Sequence, residues 1–132
     1  MILRTLRRGL ADQRGAAAVE MALILVPLVL LLVGIVDFGR VLYTRNNLIG
    51  AADVGARVIL IDNAASDAAV TDAVHEAFLA APDDQLTVTL GTASESGIGF
   101  RTISLEHDIA LVTPLLVVDR ITLDHTRRVP LE

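Results

Sequence analysis

Gly15 and Glu20 are the two residues of this chain whose types and spacing point most directly to chemistry. Gly15 closes an arginine-bearing leader, and Glu20 follows five residues later, inside a stretch that is otherwise uncharged from Ala16 to Val36. A charge within a membrane-length apolar segment is expensive, so its presence asks for a function. Hydrolysis of the peptide bond between Gly15 and Ala16 would leave Ala16 with a free α-amino group, largely cationic at neutral pH. Glu20 would then lie four residues further on, one helical turn and about 6 Å deeper along the axis. In low dielectric the two charges attract strongly, and pairing within the chain or with a neighbouring helix offsets the cost of dehydrating them. A carboxylate this close to the end of the stretch can also snorkel to water, which needs no partner.

The remaining polar residues offer less. His75-Glu76 lacks the second histidine of a zinc-protease helix, and His75, His107 and His125 are far apart in sequence. His107, Asp108 and His125 fall in expected strands, with solvent-facing side chains. Asp83-Asp84 reads as a turn cap, and Gly91–Gly99 contains serine and glycine without the context of a nucleophile elbow or a phosphate loop. No catalytic residue, cofactor-binding residue or metal site is therefore expected, and the chain does not read as an enzyme. The balance of −8 after residue 14 disfavours nucleic acid, and no small-molecule substrate is evident. There is no cysteine, so a domain outside the cytoplasm would be held together by packing or assembly rather than disulfides.

The element that must carry Glu20 is a membrane span. Ala16–Val36 is 21 residues, about 31 Å as a helix, close to the hydrocarbon thickness of a bilayer. Met21–Val36 shows no polar stripe at helical spacing, unlike the core helix of a soluble domain. Residues 1–14 carry a local balance of +3, which favours a cytoplasmic amino terminus and places the 95 residues after Asp37 outside. Three fates are open to such a terminus. A plain single-pass anchor needs nothing further. A removable secretory signal needs a small-x-small site after the apolar run, where this chain instead reads Asp37-Phe-Gly-Arg-Val-Leu-Tyr. The third is a leader cut before the apolar helix, and Gly15-Ala-Ala-Ala-Val-Glu20 resembles the Gly-x-x-x-x-Glu signature of prepilin-type leaders. Such a cut would also remove four arginines, each worth on the order of 1 kcal/mol of attraction to an anionic inner leaflet.

Beyond the span the helix is expected to continue to Ile61. Val41, Leu48, Ala52, Gly55 and Ile59 share one face, and Asp37 with Arg40 and Asp53 with Arg57 are opposite charges at helical spacing. Ala51 with Gly55, and Ala52 with Ala56, form small-xxx-small pairs that allow close approach of another element, in this chain or a neighbour. Asp62-Asn63 ends the helix. A short amphipathic helix from about Ser66 to Ala81 follows, closed by Pro82. Alternating strands are expected at Leu86–Leu90, Phe100–Ile109 and Ile121–Val129, with a polar turn region at Gly91–Gly99 and an apolar bulge around Pro114. The expected fold is α+β and pilin-like: a long transmembrane helix leading into a small exterior domain with a short helix and an antiparallel sheet. Its organisation is a basic leader, 1–15; a transmembrane and extended helix, 16–61; and a small domain, 62–132.

Residues 14–57 resemble TadE-like pseudopilins of bacterial tight-adherence (Tad/Flp) pilus systems. The resemblance rests on Arg14-Gly-Ala-Ala-Ala-Val-Glu-Met-Ala-Leu, on Pro27 within the apolar run, on Asp37-Phe-Gly-Arg, and on Asn47-Leu-Ile-Gly-Ala-Ala-Asp-Val-Gly-Ala-Arg57. It implies a minor pilus component in the inner membrane, trimmed between Gly15 and Ala16 by a prepilin peptidase. It also implies that Glu20 registers one subunit against the amine of the next. The implied partners are that peptidase, other pilins and pseudopilins, the Tad assembly machinery and membrane lipid. The rival reading is an unprocessed anchor that presents a small binding domain outside the cytoplasmic membrane.

Overall fold

The computed structural model describes residues 13–80, 85–112 and 120–131. The expected leader up to residue 12, the turn at Pro82-Asp-Asp and the segment around Pro114 lie outside these. The described elements are α1 (Gln13–Ile61), α2 (Asp67–Ala77), β1 (Leu86–Glu95), β2 (Ile98–Ala110) and β3 (Arg120–Leu131). The fold is α+β: a long apolar amino-terminal helix, a short helix and a three-stranded antiparallel sheet.

The chain divides into two units between Val36 and Asp37. In the first, α1 exposes apolar side chains on every side, among them Val19, Leu23, Ile24, Leu28, Leu32 and Ile35. This is one helix long and apolar enough to cross a membrane. Helix continues through Pro27, whose missing N–H forfeits one backbone bond.

The second unit, Asp37–Glu132, is built on the distal half of α1. Asp37, Thr44, Leu48, Ala51, Ala52, Gly55, Ala56 and Ile59 are buried at three-, four- and seven-residue spacings, which is one face of a 3.6-residue helix. The expected division at 61/62 thus marks where the helix ends, while the compact unit already begins at Asp37. Asp62 terminates α1: its side chain accepts from Ala64 N at 2.9 Å, the local bond by which aspartate favours a turn over a further helical residue. Ser66 then caps α2, its hydroxyl accepting from Ala69 N at 3.2 Å, and Asp67 occupies the first turn. α2 stops at Ala77, short of the expected Ala81. Phe78 leaves helical geometry (φ −86°, ψ 105°) and packs its ring edge-on against His107, with centroids 5.2 Å apart.

The sheet order is β1-β2-β3. β2 buries Arg101, Ile103, Leu105, His107 and Ile109 and turns the alternate residues away. β1 presents Leu86, Val88 and Leu90 opposite His107, Leu105 and Ile103. β3 sets Val129, Arg127, His125 and Leu123 opposite Arg101, Ile103, Leu105 and His107. One core results, drawn from α1, α2 and the sheet: Leu48, Ile59, Val70, Val74, Ile103 and Leu105 are essentially inaccessible. The polar stretch Gly91–Gly99 differs from the sequence expectation. It is a β-hairpin with Glu95 opposite Ile98, and its two-residue turn places both Ser96 (φ 53°) and Gly97 (φ 83°) in the left-handed region. That is the primed turn geometry that matches strand twist, and the Ser-Gly dipeptide was its sequence signal.

Candidate functional site

Gly15 lies in the first turn of α1, and space is open around the position a Cβ would take. Ala16 and Glu20 follow on the same helix, both exposed, with residues 16–20 helical. The Ala16 nitrogen and the Glu20 side chain are therefore one turn apart. No element of the described chain covers Gly15, Ala16 or Glu20, so the segment is accessible to another protein.

The small residues form a second, separate constellation. Ala51, Ala52, Gly55 and Ala56 are buried where α1 meets α2 and the sheet. A Cβ on Gly55 would lie 2.6 Å from Val74 Cγ2, 3.2 Å from Ile103 Cδ1 and 3.4 Å from Val70 Cγ1. These residues act within the chain, by letting two elements approach α1 closely.

Three polar fastenings escaped the sequence reading. Asp37, 4% exposed, accepts from Val112 N through both carboxylate oxygens at 3.0 Å, and Arg40 lies 3.5 Å from the same carboxylate. Arg40 also donates to Ala110 O at 3.4 Å, so this helical pair grips the end of β2. Aspartate is a poor residue for a helix interior, and that was the available signal. Arg101 donates to Ala65 O at 2.7 Å and to the Asp67 carboxylate, tying the loop between the helices to the sheet. Asp53 pairs with Arg127 of β3 at 3.4 Å rather than along its own helix with Arg57.

The histidines correct the expectation of solvent-facing side chains. His107 is 3% exposed, with Nδ1 2.9 Å from Gln85 O, because it falls on the core side of β2 in phase with Leu105 and Ile109. His125 shares that side, opposite Leu105, and is half-buried. A cleft of about 340 Å³ beside His107 is lined by Gln85, Thr87, Glu106, Asp108 and Arg120, with charges of both signs. Among the described residues, no three histidine, cysteine or carboxylate side chains are grouped so as to hold a metal ion.

With this geometry in place, comparison with known proteins bears on the helix. Residues 15–57 match the family model of TadE-like proteins. The TadE-like segment thus begins at Gly15, includes Ala16 and Glu20, and runs through Asp37, Arg40 and the small residues to Arg57. It ends before α2 and the sheet. No curated protein and no solved structure matches the chain.

Proposed function

We propose that this chain is a minor, pilin-like component of a Tad-type pilus system, anchored by residues 16–36 in the cytoplasmic membrane. Its amino terminus faces the cytoplasm and its head faces outward. A prepilin peptidase cleaves between Gly15 and Ala16. The new Ala16 amine and the Glu20 carboxylate then register the subunit against neighbouring pilins or pseudopilins during assembly. The observation that carries this reading is the TadE-like match that starts at Gly15 and spans Glu20. The charge asymmetry supports the direction: +3 over residues 1–14 against −8 afterwards. No catalytic step by this chain enters the proposal. Its work is done by being cut, held in the membrane and passed to an assembly.

The test is the amino-terminal sequence of the full chain isolated from membranes, produced with and without a cognate prepilin peptidase. The expected result is a terminus at Ala16 only where the peptidase is present, lost on Gly15→Val. Glu20→Ala should leave cleavage in place and abolish co-purification with other pilins. An intact leader in both preparations would overturn the processing step and leave an anchor that presents its head.

A further inference from the structure

Asp37 is the first residue after the apolar run, and it holds the backbone of Val112. Val112, two residues past the end of β2, is thereby held against α1 at Asp37. The exposed large apolar side chains near Asp37 are Phe38, Leu42, Tyr43 and Val112. At 1.5 Å per residue, Phe38 is about 3 Å and Tyr43 about 10 Å beyond Val36 along the helix. The polar layer of a bilayer is roughly 5–8 Å thick on each side of the hydrocarbon. The four side chains fall in or just above that layer.

Their placement around the helix decides what they contact. Successive helical residues turn by about 100°, so Phe38, Leu42 and Tyr43 spread over about 140° of the helix surface. They follow directly on the apolar run that ends at Val36, so the side of the helix they occupy continues an apolar, lipid-length surface. The residue types agree: Tyr43 joins an apolar ring to a polar tip, and Arg40 can lay its stem along apolar surface with its head in water.

We propose that Phe38, Leu42, Tyr43 and Val112 form a collar seated in the headgroup layer of the membrane. Asp37 and Arg40 clamp the end of β2 beside this collar. This rests on the reading that residues 16–36 span the membrane.

Two measurements on the full chain in phosphatidylcholine–phosphatidylglycerol vesicles test it. Tyr43 is the only tyrosine and there is no tryptophan, so native fluorescence reports on this site without substitution. Lipids brominated near the headgroup end of their acyl chains should roughly halve that fluorescence, and unquenched emission would overturn the collar. The chain also has no cysteine, so single-cysteine variants at Ile24, Phe38, Leu42, Ile61 and Val112 can be spin-labelled cleanly. Labels at positions 38, 42 and 112 should favour oxygen over a water-soluble nickel complex several-fold more than the label at 61. Labels at 38 and 112 matching the label at 61, or shielded from both reagents as by protein, would refute the proposal. Nickel access at 24 would instead defeat the span itself, which separates the two failures.

Discussion

Gly50 and Gly55 stand five residues apart in the same helix, and replacing each by alanine should change stability in opposite directions. Gly50 is exposed, with nothing within 4 Å of a built Cβ. Gly50→Ala therefore collects the full helix-propensity gain, about 0.8–1.0 kcal/mol. Gly55→Ala collects the same gain but drives its methyl to 2.6 Å from Val74 Cγ2, with Ile103 Cδ1 at 3.2 Å. Val74 sits inside α2 and is β-branched, so it is stiff at χ1 and cannot swing aside. Relief must come from shifting α2 away from α1, and overpacking of this kind costs typically 1–3 kcal/mol. The net effect is destabilisation of about 1 kcal/mol. Amide hydrogen exchange of peptides covering residues 101–109, measured on the detergent-solubilised chain, reads this directly because β2 packs on the same core. Exchange limited by opening should slow about four- to fivefold in Gly50→Ala, from the propensity gain alone. It should quicken by about fivefold in Gly55→Ala. Equal protection in the two variants would show that α2 does not press on Gly55 as described, and the packing argument would fail.

Four further substitutions probe two of the polar fastenings. Asp37→Ala leaves Val112 N–H without its acceptor and should cost about 1–3 kcal/mol, with Asp37→Asn costing less because one acceptor oxygen remains. Faster exchange at the Val112 amide checks this, and an unchanged amide would mean that the clamp does not hold β2. Arg101→Ala should lower the thermal midpoint of the head more than Asp67→Ala. The arginine side chain is 11% exposed and also holds Ala65 O, whereas the Asp67 side chain is 76% exposed. An exposed carboxylate contributes about 0–1 kcal/mol to such a pair, against about 1–3 kcal/mol for a donor whose loss strands its partner. Equal midpoints for the two variants would refute that ranking.

How far the sequence reached depended on the range of each interaction. The helix over Ala16–Ile61 was legible because it needs only apolar length up to Val36 and a proline-free run from Asp37 on, Pro27 costing one backbone bond without ending it. Its end at Asp62 and the start of α2 at Ser66 were legible because each is set by a side chain bonding to backbone two or three residues on. Gly15 and Glu20 were legible as a pair because five residues of helix hold them in a fixed relation, whatever the rest of the chain does. Alternation marked β2 and β3, but not which side faced the core for His107 and His125. A strand's phase is fixed by what packs on it, and α1 with Phe78 does that here. The strand extensions that flank the Ser96-Gly97 turn were hidden because Thr92–Ser94, polar enough to read as loop, gain strand partners only from β2. Asp37 read as one half of an intrahelical pair, yet its buried carboxylate serves Val112, 75 residues away. Gly55 read as one of several small residues until Val74 and Ile103 closed on it. Apolar length and local bonding wrote the long helix and the Gly15–Glu20 segment into the sequence. The fastenings of the head join residues that only strand register and helix docking bring together, so the tertiary structure alone decided them.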